Sequence, residues 1–304
     1  MKELVIISGK GGTGKTSVTA SFAALADKPI IADCDVDAPD LHLILDPQIK
    51  ERYPFSGGKI AEVISEQCNN CGLCQQHCRY NAVTPTGPAN RQYSRTWYVD
   101  PLACEGCGVC AEFCPNHAIE MKDAVNGEWY KSQCRFGSMV HARLGVAQEN
   151  SGKLVTLVRR QARHWAEQQE ADLIICDGPP GIGCPVIATI NGADFVLLVS
   201  EPSLSGVHDL QRALNLVRHF QRPAMLVVNK FDLNPEVTRQ MERKAHEQEV
   251  TVAGRIPYDP VMVEAQMEGK CIAEYKDSPA RHAVCDIWET VQKAVNGQTF
   301  SASN

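Results

Sequence analysis

The chain has 304 residues, 44% hydrophobic and 22% charged, enough to bury one large domain or a domain with a smaller module. A formal net charge of −6, with no long basic run, argues against a nucleic-acid partner. No run of 18 apolar residues occurs, and the first apolar stretch reads as a core strand and not a leader, so the expectation is a cytoplasmic protein with no stable membrane anchor.

Residues 3–8 (ELVIIS) lead into a glycine loop, and a helical pattern follows from about Lys15 to Ala26. A second apolar run, Pro29–Ala32, ends in the acidic cluster Asp33, Asp35 and Asp37. Similar short, non-alternating runs recur at 172–176 (DLIIC), 195–199 (FVLLV) and 224–228 (AMLVV), each followed by turn residues and a helix-length segment. Strands covered on both faces by crossover helices have this pattern, so the body is expected to be an α/β parallel sheet. The stretch 57–124 differs, being rich in Cys, Asn, Gln and Pro, and it is far longer than a crossover needs. The expected layout is therefore a discontinuous nucleotide-binding domain, 1–56 and 125–304, interrupted by a module at 57–124.

Gly9-Lys10-Gly11-Gly12-Thr13-Gly14-Lys15-Thr16 fits G-x-x-x-x-G-K-[ST] between a strand and a helix. Its backbone N–H groups and the helix start can cradle phosphate oxygens. Lys15 would neutralise the outer phosphates and the Thr16 hydroxyl would ligate Mg²⁺. The same glycines satisfy G-x-G-x-x-G, with Asp33 as a ribose-binding acid, but a dinucleotide loop does not need Lys15 and Thr16. Asp177, ending the run ADLIIC before Gly-Pro-Pro-Gly181, is placed to hold Mg²⁺ from the far side.

The run Lys10–Thr16 resembles the deviant phosphate loop of the MinD/Mrp/ParA ATPases and the nitrogenase iron protein. The resemblance implies a sandwich homodimer in which Lys10 reaches the partner's phosphates. It also implies a first switch carrying Asp35 near Mg²⁺ and the attacking water, with Asp33 and Asp40 as weaker candidates, and a second switch at Asp177–Gly181. Gly11, Gly12, Thr13, Gly14 and Ser17 complete the implied nucleotide loop. For the base, Asn229-Lys-Phe-Asp232 matches the guanine-reading N-K-x-D pattern. The resemblance instead implies adenine, with Asn229 at the ring and Pro257, Tyr258 and Asp259 lining its pocket. ATP is the preferred nucleotide and GTP stays open.

Eight of the 14 cysteines fall between Cys68 and Cys114. Cys68-x2-Cys71-x2-Cys74-x3-Cys78 recurs 36 residues later as Cys104-x2-Cys107-x2-Cys110-x3-Cys114, an internal duplication. Both runs match the bacterial ferredoxin spacing, whose fourth cysteine serves the other cluster. The expected ligand sets for two [4Fe-4S] clusters are Cys68, Cys71, Cys74, Cys114 and Cys78, Cys104, Cys107, Cys110, in a ferredoxin-like α+β module. A zinc ribbon would use two pairs and leave four of these without a role. Cys34, Cys176 and Cys184 are expected in the core, Cys271 and Cys285 as packing residues, and Cys134 has no assigned role.

The whole arrangement resembles the MinD-superfamily ATPases that carry an inserted ferredoxin domain. Other family-like stretches, His141–Leu144, Glu149–Lys153 and Glu201–Gly206, carry no assigned chemistry. The expected function is ATP hydrolysis coupled to electron transfer with an unidentified redox protein. The alternatives are a redox-sensing positioning ATPase and an iron–sulfur cluster carrier.

Overall fold

The computed structural model describes residues 1–145 and 151–297. Glu149 and Asn150 of the stretch noted above, and the polar end of the chain, lie outside these residues. The chain divides into two compact units, one of Met1–Tyr53, Trp129–Arg143 and the chain from Ser151 onward, the other containing Pro54–Glu128.

The first unit starts with β1 (Lys2–Ser8), α1 (Lys15–Leu25), β2 (Ile30–Asp33) and α2 (Leu41–Leu45). β3 (Gln48–Val63) follows. The second unit contains α3 (Leu73–Gln76), β4 (Val83–Gly87), β5 (Thr96–Val99) and α4 (Val109–Glu112), with β4 and β5 paired antiparallel. β6 (Ile119–Cys134) and β7 (Gly137–Leu144) are sheet neighbours joined by a two-residue turn, a hairpin. The division between units falls within β3 and within β6. Then come α5 (Ser151–Gln168), β8 (Leu173–Pro180), α6 (Cys184–Ile190), β9 (Phe195–Ser200), α7 (Leu204–His219), β10 (Ala224–Asn229), α8 (Pro235–His246), β11 (Thr251–Ile256), α9 (Val261–Met267) and α10 (Pro279–Val295).

The sheet order is β11-β10-β9-β1-β8-β2-β7-β6-β3. β1 runs parallel to β8 and β9, β2 to β7 and β8, and β10 to β9 and β11. Six of the seven β1 residues are buried, as a strand covered on both faces requires. Leu4 and Ile6 pack on one face with Val18 and Phe22 of α1 and Val284, Ile287 and Trp288 of α10. Glu3 alternates to the other face, where its carboxylate accepts hydrogen bonds from Arg159 (2.6 Å) and Arg163 (2.8 Å) of α5. β3, β6 and β7 had no counterpart in the sequence reading. The first half of β3, QIKERY, is mostly exposed and charged at the sheet edge, so it lacks the apolar signal of a central strand.

Cys34 and Cys176 are fully buried, as expected of core thiols, and their mutual hydrogen bond together with burial pushes the Cys176 thiol well above its ordinary range. Cys184 departs from expectation. It is exposed at the start of α6, where the first turn of a short helix faces outward. Cys271 is buried with Cys134 in one apolar cluster, Cys134 donating to the Gly137 carbonyl (3.2 Å), while Cys285 is half-buried.

Candidate functional site

The parallel strands point their carboxyl ends to one edge of the sheet, and there the chemistry-bearing residues meet. β1 delivers the glycine loop, β2 delivers Asp33 and Asp35, β8 delivers Asp177, β9 leads to Glu201 and β10 ends at Asn229. Ligands of open α/β sheets bind at this edge. Gly14 takes φ 91° at the head of α1, and a β-carbon there would stand 2.3 Å from the Asn229 amide nitrogen, so both conformation and space demand glycine. No side chain caps α1, which leaves its first N–H groups free to meet an anion.

Lys15 is nearly fully buried, with Nζ 2.9 Å from Asp177 Oδ2 and 3.8 Å from Asp35 Oδ2. Burial works against its charge, yet Asp177, Asp35 and Asp33 together raise it above an ordinary lysine. Thr16 Oγ1 donates to Asp177 Oδ2 (2.8 Å), so Lys15, Thr16 and Asp177 form one constellation. Burial raises Asp35 to about 6, against the opposing pull of Lys15. Asp33, more deeply buried and facing Asp177, is pushed well above the carboxylate range. The Thr13 hydroxyl and Asp33 Oδ2 are buried without a hydrogen-bond partner among the described residues. Three carboxylates around one lysine, with an orphan hydroxyl in the loop, suit a bound phosphate and a divalent cation.

Lys10 turns back onto its own chain. Its Nζ lies 2.8 Å from Glu201 Oε1 and donates to Ser203 Oγ (3.1 Å) and Ser205 Oγ (3.3 Å). Lys230 reaches Glu201 Oε2 at 3.0 Å. Burial tends to raise Glu201, but the two lysines outweigh it and hold the carboxyl below its usual range. Gly11 and Gly12 form the exposed tip of the loop, and Ser17 accepts a hydrogen bond from Gln266.

Asn229 does not stand free. Its amide donates to the Thr13 carbonyl (2.8 Å) and its Oδ1 accepts from the Lys230 N–H (3.0 Å). Asp232 accepts from the Tyr258 N–H (2.7 Å), leaving the Tyr258 ring half exposed beside partly buried Pro257. Asp259 accepts from the backbones of Val261 (3.0 Å) and Ala280 (3.3 Å), tying the starts of α9 and α10 together. Asp40 precedes α2 without capping it.

Two residues of the site had no role assigned from the sequence. Thr19 Oγ1 lies 2.7 Å from Asp177 Oδ1, nearer than the Lys15 carbonyl at 3.0 Å, so the carboxylate takes its proton. Its position four residues after Lys15, on the same helix face, was the available signal. Glu201 stood in the family-like stretch Glu201–Gly206 without a role, because its lysine partners lie far away in sequence.

In the second unit, Cys74, Cys78, Cys104, Cys110 and Cys114 pack together around Ala61, Ala82, Val83, Val99 and Ile119. A cavity is lined by Cys78 together with Cys104, Cys107 and Cys110. Cys74 is buried, and burial with the nearby Cys68 and Cys71 thiols raises it to about 11. Cys68 Sγ accepts from the Asn70 N–H (3.4 Å) and Cys114 Sγ from the Ala118 N–H (3.2 Å). Among the described residues, no three His, Cys, Asp or Glu side chains gather closely enough to hold a single metal ion. No described helix is long and apolar enough to cross a membrane.

The phosphate loop, the buried lysine and the carboxylates at the carboxyl edge define a P-loop nucleotide-binding protein on an α/β parallel sheet. The CobQ/CobB/MinD/ParA nucleotide-binding domain matches residues 4–272, and the chain belongs to that family. An uncharacterised protein of Methanocaldococcus jannaschii is 35% identical over 235 residues, 76% of this chain and 79% of its own. An iron–sulfur cluster carrier protein of Pyrococcus horikoshii is 28% identical over 159 residues, 48% of this chain and 52% of its own. The septum site-determining protein MinD complexed with Mg-ADP, also from Pyrococcus horikoshii, shares the fold at TM-score 0.57 and 16% identity, covering 98% of both chains.

Proposed function

We propose that this chain hydrolyses ATP and couples the resulting conformational change or dimerisation to electron transfer through two [4Fe-4S] clusters. The observation that carries the metal half is the cavity in which Cys78 of the first cysteine run joins Cys104, Cys107 and Cys110 of the second. That crossed set is the one the ferredoxin spacing calls for. Cys68, Cys71, Cys74 and Cys114 would hold the other cluster, with the Asn70 N–H donating to the Cys68 sulfur and the Ala118 N–H to the Cys114 sulfur. Among the described residues no three such side chains gather for one ion, so the thiols would serve the larger clusters and not a single metal ion. When bound, the clusters supply one-electron chemistry.

At the nucleotide, Lys15 neutralises the outer phosphates, the loop N–H groups and the Thr13 hydroxyl orient them, and Asp35 positions the attacking water. Thr16, Asp35 and Asp177 would hold Mg²⁺, which neutralises charge on the phosphates. Adenine is favoured over guanine by the resemblance to the MinD-type ATPases, while Asn229 braces the Thr13 carbonyl and Asp232 Oδ1 accepts from the Tyr258 N–H. Lys10 reaches the phosphates of a second copy once it leaves Glu201.

The test is anaerobic purification of the full chain with iron and sulfide quantitation, then cluster reduction and electron transfer to viologen dyes with and without Mg·ATP. Nucleotide-dependent transfer supports the reading, and an iron-free folded protein overturns it. A second reading, cluster delivery, is favoured by the resemblance to the Pyrococcus carrier protein. Transfer of iron and sulfide from this chain to an apo-ferredoxin would select it.

A further inference from the structure

The second unit contains a buried hydrogen-bond donor without an acceptor. Trp97 lies on β5, where it and Val99 share the face packed against the cysteine cluster, while Tyr98 points outward and is half exposed. Its indole N–H is buried and has no partner among the described residues. A buried tryptophan N–H without an acceptor is costly and uncommon.

The position of the ring shows what the donor faces. A β-carbon on Gly72, whose φ is +82°, would stand 3.3 Å from Trp97 Cζ2. Cζ2 lies on the same ring edge as Nε1, one atom removed along the bonds. That edge is therefore against the turn between Cys71 and Cys74, and the glycine is what lets the indole approach. Nothing else in this turn offers a side-chain acceptor, because its residues are Gly72 and Leu73.

We infer that the Trp97 indole N–H donates a hydrogen bond to a sulfur of the cluster held by Cys68, Cys71, Cys74 and Cys114, and so raises the reduction potential of that cluster relative to its twin. The inference rests on the cluster reading above. Reduction adds negative charge to the cube, and a donor aimed at its sulfur stabilises the reduced form more than the oxidised one. The duplicated run has Gly108 where the first has Gly72, and a β-carbon on Gly108 would meet nothing within 4 Å, so no indole stands against that turn; the cavity of the second set is lined instead by His77 and Tyr80. The two clusters thereby become unequal, which gives an electron a direction of travel.

The experiment is a redox titration of the anaerobically purified full chain, followed by electron paramagnetic resonance, comparing wild type with Trp97→Phe. Phenylalanine keeps an aromatic filler and removes the donor. The expected result is one midpoint shifted to a more negative potential, the other unmoved, and loss of an exchangeable-proton coupling on the shifted cluster. Tyr98→Phe, on the outward face, leaves both midpoints in place. If Trp97→Phe disturbs folding, replacing Trp97 with the benzothiophene analogue of tryptophan, in which sulfur stands for the N–H, gives the same readout with nearly unchanged shape. Iron-replete protein with both midpoints unmoved overturns this inference alone. Iron-free wild type overturns the cluster reading, and this inference with it.

Discussion

Replacing Glu201 with glutamine tests whether the bridge to Lys10 restrains the loop lysine from serving a second subunit. In this chain Lys10 is held at 2.8 Å by Glu201, with side chains 29% and 22% exposed. A pair this accessible to water contributes about 0.5–1 kcal/mol, not the several expected of a buried one. Each protomer of a sandwich dimer gives up one such bridge, so removing the carboxylate favours the dimer by about 1–2 kcal/mol. At 1.4 kcal/mol per decade, its dissociation constant falls about 5- to 30-fold. Glutamine retains the shape, so the surrounding turn is preserved. The assay is sedimentation equilibrium of the full chain in Mg·ATPγS, with Lys10→Ala as the control that abolishes the dimer in both backgrounds. A Glu201→Gln dissociation constant equal to or above that of wild type would refute the argument.

Thr19→Val removes the hydroxyl that orients Asp177 but keeps the β-branched shape. A hydrogen bond to a charged group contributes about 1.5–3 kcal/mol, so ATP turnover should fall about 10- to 150-fold, with Thr19→Ser recovering most of it; steady-state kinetics matching wild type would exclude the role. Glu3→Ala leaves Arg159 buried without its counter-charge and should cost about 3–5 kcal/mol in urea denaturation, a figure that a loss below about 1 kcal/mol would contradict. Asp35, raised by burial to about 6, binds more protons folded than unfolded. Without added nucleotide, its contribution to stability is therefore full below about pH 4 and lost as pH rises through about 6. Melting temperatures of wild type and Asp35→Asn across that window should converge at the acid end and separate above it, and parallel curves would count against the assignment. Cys78→Ser should remove one cluster signal and spare the other, whereas loss of neither would break the crossed ligand set.

The phosphate loop was legible because its chemistry is contiguous. Gly9 through Thr16 carries the glycines, the lysine and the hydroxyl within one turn between a strand and a helix. The cysteine runs stand out for the same reason, since four thiols at a fixed short spacing form a contiguous pattern. Asp177 was found because an acid directly after an apolar strand falls at the carboxyl edge of a parallel sheet. The strands of the far edge were not found, because β3 is polar and exposed over its first half and carries no apolar pattern.

The amino-acid order by itself determined which glycines, lysine and hydroxyl share one loop, and which thiols belong to one run, because those groups are neighbours along the backbone. Only the tertiary structure decided which residues hold them in place. Lys10 lies on Glu201 and Asn229 braces Thr13, while the Glu3 carboxylate binds two arginines of α5. The Trp97 indole, likewise, is set against the turn at Gly72. These pairs join strands, helices and loops far apart in the chain. They exist because sheet order and helix packing bring those ends to one place, and no local pattern of residue types encodes that meeting.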